Sequence, residues 1–589
     1  MQGLSDSDIH AVSGGKIDRR SVVAIRPMLL AAALCALFTA PVAWNARQAI
    51  SNDGISYLEV ATNALRLGPL HLLSNAYWSP AYPALLALAL KAAHPPLASE
   101  LTLVHSVDWV ICAFEYLCFT YFLWNLLRWI QLTHPGVVEN QASFRAILTF
   151  TYTLLFVSNL DMTLWFVGPN VLMAASVYLA AAICVRLSLP DARIIHYLSL
   201  GLVFAFGYAA KAALFPLSLI LIGILFLRPL NRNGFRRGLL ATAVAFIVGS
   251  FPLIAVLSYT KGRLTFGDSG NLAYAWYVNS VPRSVLWEGR LPGSAALLHP
   301  ARKIWASPPV LKFDGPGRAE ATYAYWYDPS WWYDGVKSHF DLRQQAQQFL
   351  RSLGRAPKIM ISGMTVLQLA ERWLPIWAGF AALVLLGARL RTLHAAWRVH
   401  MWLFLWPAAA TILFAAVLLD YRYLFPFMVL AWTALFAAAW IVTGPEKFTA
   451  VALTVAAGLL LAYCPDMARQ VLQSVQHPAT SNLAVARRLA ALGIRPGDEL
   501  ASVDFASFSY YARLAGARFT MQMLTEDLAV PPKLSQEQVQ KLPQPEVQAL
   551  IETLRANGAR ALVSMWRPAF DNDSGWVLLT KNIYIRPIQ

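Results

Sequence analysis

Charge is scarce in this chain. Only 14% of its 589 residues are Asp, Glu, Lys or Arg, against 57% that are hydrophobic, where a soluble domain carries roughly 25% charged side chains. That shortage excludes an ordinary soluble enzyme, and apolar runs recur close to the roughly 20 residues a membrane-crossing helix needs. Cysteine is scarce too. Cys35, Cys112, Cys118, Cys184 and Cys464 fall in or beside apolar runs, so they do not read as an extracellular disulfide framework. A zinc-ligand spacing, a Walker motif and a nucleic-acid module are all missing. The formal charge of +16 would otherwise suggest nucleic acid, but the Lys and Arg cluster in short links between apolar runs, as the positive-inside rule requires of cytoplasmic loops. The composition predicts a mainly α, polytopic membrane helical bundle of about eleven spans, with a large external loop and a small C-terminal α/β soluble domain.

Residues 1–26 read as a cytoplasmic tail, the first part rich in Ser, Asp and Gly and disordered by composition. Arg19, Arg20 and Arg26 precede the apolar run 27–44, which reads as a retained signal anchor with its N-terminus inside and the next loop outside. The expected division is a membrane domain over 27–464, with external loops near 47–100 and 259–372, followed by an extracytoplasmic α/β domain over 465–589.

The loop after the first run, NDGISYLEVATNALRLGPLHLLSNAYWSPAYP over 52–83, carries a carboxylate, an amphipathic helix and an aromatic cluster. Asp53 begins it and Tyr57 follows one helical turn later. Leu58, Ala61 and Leu65 make an apolar stripe suited to lying in the membrane interface. Trp78, Tyr82 and Pro83 close it with residues suited to headgroup depth. A carboxylate at the water boundary can take a proton from an acceptor hydroxyl without the cost of mid-bilayer burial, which makes Asp53 the candidate base. The competing reading makes Asp53 the N-cap of the helix that starts near Gly54.

This stretch resembles the first external loop of the C-type membrane glycosyltransferases, the superfamily of the protein O-mannosyltransferases and the lipid A aminoarabinose transferase. The resemblance places the catalytic carboxylate just after the first membrane helix, where Asp53 stands. It implies an inverting transfer of a sugar from a polyprenyl-phosphate donor. Further along, VGPNVLMAA over 167–175 resembles the superfamily's second external turn, with Asn170 in place of the expected aspartate. Asp161 is the nearest substitute, to orient the acceptor or help hold a divalent cation; metal use stays open. GYAAKAALFP over 207–216 resembles a Lys-containing external turn and assigns Lys211 to the donor phosphate. DYRYLFP over 420–426 resembles the Arg-Tyr-x-x-Pro signature of the late membrane segments, which assigns the departing phosphate to Arg422, with Tyr423 beside it.

The residues allow other readings of these turns. A lysine at Lys211 can snorkel, Asp420 and Arg422 can simply pair to close their turn, and Asp161 can end a helix. In the run 101–127, His105, Asp108 and Glu115 can share one helix face; they read as a helix-to-helix contact or as a proton path in a transporter. The aromatic run Tyr323, Tyr325, Trp326, Tyr327, Trp331, Trp332 and Tyr333 reads as a set of interfacial anchors or as the wall of a sugar or prenyl groove. GRLTFGDSGNLAYAW and YDPSWWYDGVKSHFDLRQQ around it resemble segments of bacterial glycosyltransferase-like membrane proteins, and LGIRPGDELASV with YYARLAGAR resembles their external tail. Residues 340–353 read as a helix along the membrane.

Further crossings are expected near 373–390, 401–419, 423–443 and 448–463. Beyond them, helices at 484–492, 507–514 and 545–556 alternate with strands at 499–503, 517–521, 561–563 and near Tyr584, a small α/β layer. The expected activity is that of a hexosyl- or pentosyltransferase moving a sugar from a polyprenyl-phosphate-linked donor to an extracytoplasmic glycan, lipid or protein acceptor, at a bacterial inner membrane. Asp53 and Asp161 are the catalytic candidates, and Tyr57, Lys211, Arg422 and Tyr423 the substrate-binding ones. Partners are membrane lipid and the lipid-linked sugar, not nucleic acid. The rivals are a lipid-linked glycan flippase, a polysaccharide polymerase or ligase, and a degenerate member without chemistry.

Overall fold

The computed structural model describes residues 23–163, 167–228, 234–281, 297–306, 309–313, 315, 320–359, 400–476, 482–503, 506, 509–523, 544–566, 575–580 and 583–588. The crossing expected near 373–390 lies outside them. Helix α1 (Arg26–Ala46) leads through a short link to α2 (Asn52–Leu67) and α3 (Ala81–Ala93), then to the long α4 (Glu100–Thr133). A hairpin follows, α5 (Gln141–Thr163) and α6 (Asn170–Arg186). The apolar run after it breaks into α7 (Ile194–Ala210) and α8 (Leu214–Phe226), with Lys211 at the break as expected, and α9 (Phe235–Lys261) returns. Later come α10 (Leu342–Ile359), α11 (Trp402–Ala415), α12 (Tyr421–Val442) and α13 (Pro445–Gln476). Among the described residues, four helical segments are long and apolar enough to cross a membrane: Arg26–Ala46, Leu97–Thr133, Phe235–Lys261 and Tyr421–Val442. Five more apolar helices are shorter.

Packing in the bundle follows residue size. Helices α7 and α9 lie against each other because Gly201 and Gly238 leave their backbones free to approach: a Cβ on Gly201 would collide with the Thr242 carbonyl, and one on Gly238 with the Tyr197 ring. The opposite faces stay apolar and exposed, with Val244, Ile247, Val248 and Phe251 on α9 and Leu30, Leu37 and Phe38 on α1. Exposed apolar stripes of this length suit hydrocarbon rather than water. In α4 the ionisable side chains face inward, each to a different partner. His105 Nε2 lies 2.8 Å from Ala49 O, Tyr82 donates to Asp108 at 2.7 Å, and Asn159 donates to Glu115 at 2.8 Å. The last two are helix-to-helix contacts, one of the two readings the spacing allowed, while His105 ties α4 to the link between α1 and α2.

Beyond the bundle stands one sheet of seven strands in the order β1-β2-β4-β3-β5-β7-β6. Its strands are β1 (Arg302–Trp305), β2 (Val310–Lys312), β3 (Glu499–Val503), β4 (Arg518–Met523), β5 (Ala559–Ser564), β6 (Val577–Thr580) and β7 (Ile583–Pro587). Parallel pairing of β3 with β4 and β5 makes the centre; β3 is buried along most of its length, as a central parallel strand must be. Helices α14 (Asn482–Ala491), α15 (Tyr510–Ala515) and α16 (Gln544–Ala556) accompany it. The periodicity located the central strands within a residue or two. It did not reveal β1 and β2, which come from the large loop and extend the C-terminal sheet by pairing antiparallel onto β4.

Candidate functional site

Helix α2 begins at Asn52 because Ser51 caps it: the Ser51 side chain accepts from Gly54 N at 3.1 Å. The capping role proposed for Asp53 therefore belongs to Ser51, and the Asp53 carboxylate in the first turn is turned to other partners. Trp326 Nε1 donates to Asp53 Oδ1 at 3.1 Å, and Arg422 Nη1 lies 3.8 Å from Asp53 Oδ2. Beside this hydrogen bond and loose ion pair the side chain stays 37% exposed, so it keeps lone pairs to offer a proton donor.

Arg422 reaches this carboxylate from the first turn of α12. Asp420 caps that helix, accepting from Arg422 N at 2.9 Å, and its other oxygen takes Arg422 Nε and Nη2 at 3.0 and 2.9 Å. The pair that closes the turn is thus present, and it aims the guanidinium at Asp53 rather than removing it from the site. Lys211 comes from the α7–α8 turn, its Nζ 4.6 Å from the centre of the Tyr423 ring, with Arg422 Cζ at 5.5 Å from the same ring. Burial, reinforced by the Arg422 charge, holds the Lys211 ammonium down to about 8, against the opposing pull of Asp53 and Asp420.

These groups line one narrow cleft, together with Ser51, Tyr57, Val167, Gly168, Pro169 and Asn170. Asp53, Tyr57, Lys211, Arg422 and Tyr423, chosen from three separate stretches, are therefore neighbours. Tyr57 stands edge-on to Trp78 and Tyr82, at 4.9 and 5.5 Å between ring centres. Burial and the nearby Asp53 push its phenol well above the usual range, so it serves as a neutral hydroxyl. The 167–170 turn brings the start of α6, and a Cβ on Gly54 would meet Val167 at 2.8 Å, so this glycine lets α2 and the turn close the cleft. Asp161 sits in the last turn of α5, but its side chain lies outside the described residues. Among the described residues no three His, Cys, Asp or Glu side chains gather as a metal-ligand set.

Two expectations need correction. Leu58 and Ala61 are fully buried and only Leu65 is exposed, so the α2 stripe packs on protein instead of lying in the membrane interface. The aromatic run is equally internal: Tyr323, Tyr325, Trp326, Tyr327, Trp332 and Tyr333 are at most 4% exposed, which rules out interfacial anchoring for them. They roof α2, with Ser56 donating to Trp326 O at 3.0 Å and Trp78 Nε1 to Tyr327 O at 3.0 Å. The site residue missed in the sequence is Trp326, one indole among many and 273 positions from Asp53. Ser51 was legible, since a serine two residues before a first-turn aspartate is a capping signal.

No protein-family model and no curated protein matches the sequence. Two solved structures of ArnT from Cupriavidus metallidurans resemble the fold. The apo form has a TM-score of 0.50 at 12% identity, covering 94% of this chain and 97% of its own. The form bound to undecaprenyl phosphate has a TM-score of 0.40 at 13% identity, covering 96% and 98%. Over nearly its whole length, then, the chain has the fold of ArnT.

Proposed function

We propose that the protein is a membrane glycosyltransferase that moves a hexosyl or pentosyl group from a polyprenyl-phosphate donor to a glycan, lipid or protein acceptor outside the cytoplasmic membrane. The observation that carries this reading is the meeting of Asp53, Lys211 and Arg422 in one cleft. Its sidedness follows from charge. Arg128, Arg186 and Arg228 lie at helix ends on the other side of the bundle, Arg186 with Asp191 at 2.7 Å and Arg228 with Ser188 at 2.7 Å, and that basic end is the cytoplasmic one. The N-terminus is then inside, the cleft and the sheet are outside, and about eleven crossings complete the bundle.

In the reaction, Asp53 accepts the proton of the acceptor hydroxyl as its oxygen attacks the anomeric carbon and the bond to the phosphate oxygen breaks. The leaving phosphate monoester gains a negative charge. Arg422 offers a planar fork to its oxygens and Lys211 a point charge, in a cleft partly shielded from water where such charges act strongly. Tyr423 holds the two cations side by side, and Tyr57 supports the cleft beneath Asp53. Asp161 is assigned to orienting the acceptor. Against a flippase stands the separation of His105, Asp108 and Glu115 onto three different partners, which supplies no continuous relay.

The test is mass spectrometry of lipid that co-purifies with the full chain in detergent, for the wild type and for K211A/R422A. A polyprenyl-phosphate sugar retained by the wild type and lost from the double variant supports the reading. A different lipid, held equally by both, overturns it.

A further inference from the structure

The segment 320–327 runs along α2 and bonds to it at successive turns. Asn63 Nδ2 donates to Glu320 O at 2.7 Å and its Oδ1 accepts from Glu320 N at 3.0 Å. Thr322 N donates to Glu59 Oε1 at 2.8 Å, Ser56 donates to Trp326 O at 3.0 Å, and the Trp326 indole ends the series on Asp53. The other edge of the segment belongs to the sheet: Phe519 N of β4 donates to Thr322 O at 2.7 Å, and Tyr323 bridges to Phe519. The soluble sheet and the helix bearing the candidate base are thus two sides of one strap.

A second tie crosses the same junction. Arg513, in α15, forks onto Glu100 at the start of α4, Nη2 to Oε1 at 2.7 Å and Nε to Oε2 at 3.0 Å, while Tyr510 donates to Glu100 Oε2 at 2.9 Å. Its remaining nitrogen, Nη1, lies 3.9 Å from Glu59 Oε1 on α2. The Glu59, Glu100 and Arg513 side chains are 2%, 5% and 15% exposed. Burying three charges is costly unless each is paired, so this cluster has one stable arrangement. That arrangement fixes α15, α4 and α2 relative to one another. Glu59 and Asp53 are six residues apart on α2, about 9 Å along a helix axis, so a shift of one is transmitted to the other by a rigid rod.

We propose that Arg513 is a positioning residue: clamped by Glu100 and facing Glu59, it makes the C-terminal sheet part of the machinery that holds Asp53 in register with Arg422 and Lys211. The inference rests on the transferase reading for its catalytic consequence, but its structural half stands on the contacts alone. Nothing in the clamp touches the donor cleft directly, so it acts on the rate of the chemical step and not on donor affinity.

The experiment compares R513A, R513K and wild type as full chains in nanodiscs, reading hydrogen exchange of the α2 amides 54–58 and transfer from a polyprenyl-phosphate sugar. R513A is expected to speed that exchange several-fold and to lower kcat about a hundredfold, as a displacement of an ångström at a reacting group does, with donor KM within about twofold. R513K keeps the charge without the fork and is expected between the two. Unchanged α2 exchange in R513A overturns the proposal, and so does a fall in kcat matched by an equal rise in donor KM. If R513A does not yield folded protein, E100Q, which removes the clamping charge and leaves Arg513 in place, carries the same readouts. Faster α2 exchange in R513A beside no sugar transfer by the wild type would retire the transferase reading while leaving the clamp standing.

Discussion

Asp53 and Glu59 share one helix and differ in everything that decides what a carboxylate does. Asp53 has one indole donor, a guanidinium at 3.8 Å and a 37% exposed side chain. Glu59 is 2% exposed, accepts a backbone N–H at 2.8 Å and faces Arg513. The first is under-bonded at the lip of a cleft lined by cations; the second is enclosed at a joint between segments. Burial raises Glu59 above the usual carboxyl range, partly offset by Arg513 and the Thr322 bonds. A carboxylate placed to react keeps an open lone pair and access to water, while one placed to hold a fold gives up both. Asp108 and Glu115 in α4 belong with Glu59, since each is enclosed and bonded to a neighbouring side chain.

The contrast breaks most directly at Asp53. D53N preserves the side chain's shape and one oxygen acceptor, yet removes the proposed base, so transfer should fall about a hundred- to ten-thousandfold with the melting temperature nearly unchanged; initial rates and a thermal melt on the same preparation check both halves. Next in size is the pH response of Lys211. Its ammonium is held down to about 8, so the charge is present below that pH and lost above it, and kcat/KM should fall about tenfold for each further unit. K211R keeps its charge throughout and should flatten that limb. A pH profile of kcat/KM for both proteins decides the matter.

Trp326 sharpens the same comparison from the donor side. W326F removes the indole hydrogen bond to Asp53 and should lower kcat about tenfold, the worth of one bond to a charged group, measured by steady-state kinetics at saturating donor. The smallest effect belongs to Asp108. D108N can still accept from Tyr82, and transfer should stay within about threefold of wild type, because a change of less than about 0.7 kcal/mol is all that a retained hydrogen bond leaves. A loss as large as that of D53N would move Asp108 into the chemistry and reopen the proton-path reading.

Asp53, Lys211 and Arg422 were legible because each sits where a helix starts or breaks. A charged residue at such a boundary between apolar runs stands out against its surroundings, and the turn motifs around Lys211 and Arg422 are short and local. The destination of the α2 stripe was not legible. Periodicity shows that Leu58 and Ala61 share a face, but an apolar face suits lipid and protein equally, and only the docking of residues 320–327 decides between them. The aromatic run misled for the same reason: rings that anchor in headgroups and rings that pack on a neighbouring helix have the same composition. Strands β1 and β2, four and three residues long, fall below the length at which alternation can be recognised.

By itself the sequence determined that this is a helical chain with apolar runs long enough to cross a membrane and charged turns at set places, since hydrophobic run length and the siting of Lys and Arg are properties of neighbours along the chain. The tertiary structure alone decided that Trp326 meets Asp53, that Arg513 meets Glu100 across 413 positions, and that two loop strands extend the C-terminal sheet. Such contacts depend on which distant surfaces fit and bury one another's polar groups, and no local pattern of residues encodes that choice.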